Sequence, residues 1–448
     1  MAVAADANIA RLGGYAGQDI PELELLRACV HCGMCLSSCP TYRITGQEMS
    51  SPRGRLWMMN AVAEDRLELL DPAFDEQMYQ CLNCRACEAV CPSGVHYGPL
   101  VEAARAQLEQ HRPRPMWQRV VRSVALGWLF GDTMRMRALV GSLRIYQRSG
   151  LAGLVRRSGA LKVMAMADLE SMMPPVSKRF IVPGTERWRP RKPSDSVRLF
   201  NGCMMGTVFA ETNRAAGRVL AHNGADVDVP RGQQCCGALH VHSGMFDGAR
   251  ILARQNIEAF ERSGDDAIIV TAAGCGAALK EYGYLLKDDP KYAERATRFS
   301  QRVRDVTEYL GAVTLNPPTR AVRRTVTYQE PCHLAHAQLI TAQPRSLLKA
   351  IPGLEMIEMS ESSLCCGSAG IYNLIRREMA NELGDRKARH AISTGAAEVV
   401  TANPGCAMQL RTSLSRNGSE MRVRHIVELL DEAYGGESAS LDVAWKSD

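Results

Sequence analysis

Sixteen cysteines punctuate this 448-residue chain, and every one of them belongs to a spaced cluster. Cys29, Cys32, Cys35 and Cys39, followed by Pro40, form the run C-x2-C-x2-C-x3-C-P. Cys81, Cys84, Cys87 and Cys91, followed by Pro92, form it again. The other eight make a different repeat: Cys203, Cys235-Cys236-Gly237 and Cys275, then Cys332, Cys365-Cys366-Gly367 and Cys406. A fold that gathers such sets of thiols from separate segments has few architectures open to it.

The first kind of run is an iron-sulfur pattern. Three thiolates of a [4Fe-4S] cluster come from one tight C-x2-C-x2-C loop, and in two-cluster ferredoxins the fourth cysteine of each run ligates the other cluster. The expected ligand sets are Cys29, Cys32, Cys35 and Cys91 for one cluster and Cys81, Cys84, Cys87 and Cys39 for the other. Structural zinc also takes four thiolates, but two tandem runs of this spacing point to a pair of clusters and an electron carrier. Pro40 and Pro92 are expected to end a local helix. Gly33, Gly94 and Asn83 stand where backbone N–H groups can approach cluster sulfurs.

The Cys-Cys-Gly repeat is less determinate. A flexible glycine lets two adjacent thiols face one centre, joined by one cysteine from each of two distant loops. An iron-sulfur cluster, a redox-active thiol pair and zinc or an inert site all use soft thiolates, and ligand type alone does not separate them. His240, His242, His333 and His336 lie near the same loops as candidate proton carriers, or as ordinary satisfied histidines.

Pattern along the chain divides it. Pro21 to Ala28 and Gly54 to Leu70 carry apolar residues at helical spacing, which predicts an α-helical ferredoxin domain rather than a small two-hairpin one. Met116 to Asp168 also reads as helical, and Pro174-Pro175 with Trp188 to Pro193 marks an extended linker. Beyond Ser196 the chain repeats with a period of roughly 130 residues, too long for a solenoid and suited to a duplicated domain. Each copy alternates strands and helices, beginning with Ser196 to Asn201 and Arg324 to Gln329, and ends on a buried strand reaching Cys275 or Cys406; this predicts parallel α/β sheets. The expected class is α+β multidomain: an α-helical ferredoxin domain (1–110), a basic helical segment and linker (111–195), two duplicated α/β cysteine-rich domains (196–320 and 321–435) and a tail (436–448).

Net charge is only +6, with the basic excess concentrated between Arg105 and Arg198, so nucleic acid is not an expected partner. The segment Trp117 to Phe130, with two tryptophans among arginines, suits packing on the ferredoxin domain or a partner subunit, or peripheral contact with an anionic membrane surface. The opening residues carry no signal-peptide pattern and no run is apolar enough to span a bilayer, so the expected location is cytoplasmic, with reduced thiols and no disulfides. No G-x-G-x-x-G after a strand, P-loop or nucleophile elbow is found, and substrate oxidation is expected on another chain.

The order of domains resembles the iron-sulfur subunits of glycolate oxidase, also called glycolate dehydrogenase. The resemblance rests on Arg27 to Cys35, Ser51-Pro52-Arg53-Gly54-Arg55, Cys91-Pro92-Ser93-Gly94-Val95 and Leu364 to Gly370. It implies flavin-bearing partner subunits carrying FAD that convert glycolate to glyoxylate, and a subunit, not catalytic alone, that passes electrons to quinone or another respiratory acceptor other than NAD or oxygen. Lactate, other 2-hydroxy-acid and glycerol-3-phosphate dehydrogenase subunits share the architecture, and a thiol-disulfide reductase acting through the Cys-Cys-Gly domains is the reading of another class. Heterodisulfide reductase relatives carry a fifth cysteine after the last of each copy; here Cys275 and Cys406 are followed by none.

Overall fold

Helices dominate the first part of the chain and strand–helix alternation the second. The computed structural model, which describes residues 11–158 and 175–436, divides into two units. One comprises the chain through Val121 together with Leu239–Ala249; the other comprises Arg122–Ala238 and the chain from Arg250 onward. The segment 239–249 thus leaves the cysteine-rich part of the sequence to pack in the first unit.

In the first unit a short antiparallel pair, Arg11–Leu12 with Tyr15–Ala16, precedes helices Leu23–Arg27, Pro40–Thr45, Pro52–Ala63, Pro72–Gln80, Ala86–Ala89 and Tyr97–His111. Three of these begin on proline, at the turn where a missing N–H has no intrahelical partner to lose. Pro40 therefore starts a helix instead of ending one. Ser51 Oγ accepts from Gly54 N at 3.0 Å and Asp71 Oδ1 from Ala73 N at 2.8 Å, capping the two longer ones. The helix expected to run to Leu70 stops at Ala63, just ahead of Asp65 in the left-handed region (φ 56°). Leu26, Leu56, Met59, Val62, Phe74, Met78, Leu100 and Val101 fill the core.

The stretch from Met116 contains helix Met116–Arg122, a π-helical turn Ser123–Leu129, and helices Thr133–Arg148 and Leu151–Arg157. The remainder of the helix expected up to Asp168 lies outside the described residues.

The second unit contains two sheets. In spatial order the first holds Arg187–Trp188, Ala225–Asp228, Asp195–Leu199, Ala267–Val270 and Val303–Asp305, parallel except for its first strand. The second holds Leu354–Ile357, Arg324–Tyr328, Glu398–Thr401 and Arg422–His425, all parallel. Leaving aside the antiparallel edge strand, both sheets run in the order 2-1-3-4 along their own chain segment, which is the duplication expressed as topology. Trp188, expected in a linker, instead pairs at the sheet edge against Val227, and Gly217 admits its indole where a Cβ would approach within 2.3 Å.

A single apolar cluster runs from Val197, Leu199 and Ile269 of one copy to Tyr328, Val400 and Ile426 of the other. Polar contacts join the copies as well: Thr212 donates to Glu428 at 2.6 Å, Arg218 clamps Asp431 at 2.9 and 2.6 Å, and His425 Nε2 bonds the Thr271 carbonyl at 2.9 Å.

Candidate metal centres

In the first unit the cysteine loops have matched backbones. His31 and Asn83 occupy the position before the second cysteine of each run, Gly33 and Arg85 the position after it, and all four have positive φ (56°, 49°, 83° and 60°). Three of these are not glycine, so the conformation is held against an intrinsic cost of about 1 kcal/mol per residue. Left-handed residues in tight turns gather backbone N–H groups into anion-binding concavities of the kind found at iron-sulfur sites. Asn83 N donates to Cys81 Sγ at 3.3 Å and Val95 N to Cys91 Sγ at 3.4 Å. Sequence reasoning singled out Asn83 and Gly33 but missed His31 and Arg85, because neither residue type signals a left-handed backbone.

The eight thiols separate into two groups. Cys29, Cys32, Cys35 and Cys91 line one cavity, together with His31, Gly33 and Arg53. Cys39, Cys81, Cys84 and Cys87 line another, with Thr41, Arg55, Arg85 and Tyr97. The fourth cysteine of each run thus stands with the first three of the other. The first group is the more open, with Cys32 exposed; all four sulfur-bearing residues of the second are buried. Burial, reinforced by Cys84 and Cys81, pushes the Cys87 thiol well above the ordinary range.

Two arginines separated by one residue at the start of helix Pro52–Ala63 serve different cavities, as positions roughly 200° apart around a helix must. Arg53 reaches the first, where it is held by Glu48 at 2.5 and 3.2 Å and by the His31 carbonyl at 3.3 Å. Arg55 lines the second, fully buried, and its Nη1 has no hydrogen-bond partner. Nearby, Glu102 accepts from Asn83 Nδ2 at 2.6 Å and pairs with His242 at 3.1 Å. Burial alone would raise Glu102, but His242, Arg85 and Arg105 bring it below the usual carboxylate range.

This donor set fits [4Fe-4S] clusters: four thiols from two segments surround each cavity, and an unpartnered guanidinium N–H borders one of them. Among the described residues no three His, Cys, Asp or Glu side chains converge on the position of a single metal ion.

The cysteine-rich copies present their thiols differently. In both, the four cysteines follow the carboxyl ends of the first three strands of the 2-1-3-4 order, where open α/β sheets place their ligand sites. The third strands end at Val270 and Thr401, so Cys275 and Cys406 stand in the first turn of helices Ala273–Lys280 and Pro404–Arg416 instead of on the strands. Cys203 and Cys235 sulfurs are 3.7 Å apart, Cys236 and Cys275 3.2 Å, and Cys366 and Cys406 3.3 Å. Cys332 neighbours Cys365, and its hydrogen bond leads the causes that push the Cys365 thiol up. All sixteen cysteines are free of disulfides.

The copies are not alike around these thiols. In the first, Tyr282 donates to the Cys236 carbonyl at 2.9 Å and Asn256 to the Cys235 carbonyl at 3.0 Å. In the second, buried Lys387 bonds the carbonyls of Glu361 and Ser362, and burial pulls it down to about 8. Hydrogen bonding with Cys365 and Cys406 holds Cys366 well below the ordinary thiol range. Of the candidate histidines, His333 stands near Gly274, His336 bonds the Ser363 carbonyl at 3.1 Å and is lowered by burial, and His240 is buried.

A 4Fe-4S dicluster domain model matches residues 25–95, a cysteine-rich domain model matches 197–280 and 326–411, and the linker-region model of the glycolate oxidase iron-sulfur subunit matches 117–173. The chain is 43% identical over 427 residues to the probable glycolate oxidase iron-sulfur subunit of Bacillus subtilis (strain 168), covering 93% of this chain and 96% of that one. It is 33% identical to the glycolate oxidase iron-sulfur subunit of Escherichia coli (strain K12), covering 92% and 94% respectively. Lactate utilization protein A of Oceanobacillus iheyensis is 28% identical over 52% of this chain and 96% of its own length. With matched cysteine loops, duplicated cysteine-rich sheets and near full-length identity of this order, the chain belongs to the family of glycolate oxidase iron-sulfur subunits.

Proposed function

We propose that this subunit of the glycolate oxidase complex carries electrons singly through two [4Fe-4S] clusters, one held by Cys29, Cys32, Cys35 and Cys91, the other by Cys81, Cys84, Cys87 and Cys39. Oxidation of glycolate to glyoxylate on FAD-bearing partner subunits releases two electrons and two protons. The clusters supply one-electron steps between that flavin and quinone or another respiratory acceptor. The observation that carries this reading is the division of eight cysteines into two groups of four, each lining its own cavity.

The protein's own part is to fix the two cluster positions, bury the second, and surround both with backbone donors. The thiols of Cys203, Cys235, Cys236 and Cys275, and of Cys332, Cys365, Cys366 and Cys406, form candidate sites for a further cluster or zinc. No helix among the described residues is long and apolar enough to cross a membrane. Exposed Trp117, Val120, Val124 and Trp128 offer apolar surface for a partner subunit or for peripheral contact at the inner face of the cytoplasmic membrane.

The test is paired substitution in the assembled complex. Cys39→Ala and Cys84→Ala are expected to cause the same lesion, and Cys91→Ala and Cys32→Ala the other. Each should reduce iron from about eight atoms to about four and abolish glycolate-driven acceptor reduction. If Cys39→Ala perturbs the same cluster as Cys32→Ala, the crossed assignment is wrong. Lactate and glycerol 3-phosphate offered to the same complex should support little turnover. Cys235→Ala with Cys365→Ala separates the wire from a thiol-disulfide enzyme, since only the latter loses its chemistry outright.

A further inference from the structure

We propose that Arg55 is the counter-ion of the cluster held by Cys39, Cys81, Cys84 and Cys87, and that its charge raises that cluster's reduction potential. The inference rests on the reading that this group of cysteines holds a [4Fe-4S] cluster, and goes beyond it by assigning a residue that is not a ligand.

Arg55 is 0% exposed, the largest fully buried side chain of the described residues. Its hydrogen bonds to oxygen go to neutral groups: Nε donates to the Gln77 carbonyl at 2.8 Å, and Nη2 to Thr41 Oγ1 at 3.1 Å and Gln80 Oε1 at 3.2 Å. These fix the guanidinium plane. Nη1 has no partner, and the residue borders the cavity lined by the four thiols. The acidic groups that act on it are Cys81, Tyr97 and Cys39; no carboxylate is among them.

A guanidinium does not give up its proton in a protein. Burying it without an opposite charge is strongly unfavourable, so the compensating charge has to come from the thiolate side of the cavity. A cubane held by four thiolates is anionic, and one-electron reduction makes it more so. A fixed cation at its wall, screened little by solvent, therefore favours the reduced form. No bond is made or broken at Arg55; it acts by charge and by one N–H donor.

Arg53 is the internal control. It lies two residues away and borders the other cavity, yet it is bound through Nε and Nη2 to Glu48 and is 30% exposed, with Glu48 51% exposed. Its charge is already balanced, and water screens what remains.

The experiment is a potentiometric titration by EPR of the anaerobically purified full chain, with signals assigned by their loss in Cys84→Ala and Cys32→Ala. In Arg55→Gln, the reduced-to-oxidised ratio of the buried cluster at a fixed potential should fall at least tenfold, about 59 mV for one electron. The other cluster should be unmoved, Arg53→Gln should shift neither by more than about half that, and Arg55→Lys should retain most of the potential. An unchanged potential in Arg55→Gln with full iron content overturns the inference. If Arg55→Gln fails to assemble its cluster, the wild-type chain decides. With arginine labelled by ¹⁵N, the reduced buried cluster should show coupling to a guanidinium N–H, and absence of that coupling also overturns the inference. Absence of any cluster signal from the wild-type chain would instead defeat the underlying cluster reading.

Discussion

The two units solve the same problem, gathering four thiols, in opposite ways. In the first, short helices and left-handed loop residues hold the cysteines around two cavities, with charged arginines at the walls. In the second, parallel sheets deliver them from strand ends until sulfur meets sulfur at 3.2–3.7 Å. The reason is the scaffold. The sheets have extensive apolar cores of their own, built from residues such as Val197, Ile269, Val326 and Val400, and the thiols are an addition to a fold already satisfied. In the first unit Cys81 and Cys87 belong to the core cluster itself, so the site and the core are the same object.

The sharpest way to break this comparison is to remove the iron. Metal binding by such a domain is also folding free energy. Chelation under denaturant-free conditions is expected to make the chain ahead of Val121 protease-sensitive while the unit beyond Arg250 stays resistant. Limited proteolysis with mass spectrometry reads the outcome, and equal loss of both units would show that the cysteine-rich sheets depend on metal as well.

A smaller effect sharpens the contrast between the two cysteine-rich copies. Gly367 has φ 87° and a Cβ there would stand 2.6 Å from the Ala380 carbonyl oxygen. Gly367→Ala should cost roughly 3 kcal/mol, combining a strained backbone with a contact that must shift. Gly237, at φ 81°, carries the same backbone cost of about 1 kcal/mol on that substitution, and any loss beyond it measures the crowding of its own turn. Thermal unfolding of the two variants measures the difference, and equal losses would mean the two turns are under equal constraint.

The smallest effect is a pH dependence confined to the second unit. Asp305, fully buried at the start of helix Val306–Ala312, accepts from Thr307 N at 2.8 Å, but burial pushes its carboxyl up to about 6 from 3.8. The folded chain therefore holds a proton that the unfolded chain releases, and stability should fall by about 2 kcal/mol as pH rises from 4 to above 6. Asp305→Asn should flatten that slope in denaturant titrations across the range. A slope that persists in the variant would assign it to another group.

Much of this was legible because thiol chemistry is written in spacing. The two runs and the duplicated Cys-Cys-Gly motif located the cysteine-bearing loops, and the strand–helix alternation after Ser196 predicted parallel sheets. Pro40 was misread because proline stops a helix from inside but starts one at its first position, and only the helix register tells these apart. Trp188 looked like linker because a two-residue edge strand has no periodicity to detect. His31 and Arg85 escaped notice because side-chain identity does not announce a left-handed backbone held by its surroundings.

The sequence by itself determined which thiols are clustered, the number of copies and the family, since all of these depend on covalent order. Only the tertiary structure decided what surrounds each group of four. It turned Arg53 toward Glu48 and Arg55 into a buried wall without a carboxylate, although only Gly54 separates the two in the same motif. Charge in a sequence is a count; its effect depends on burial and on the distance to an opposite charge, and those arise only when the helix is packed between two cavities.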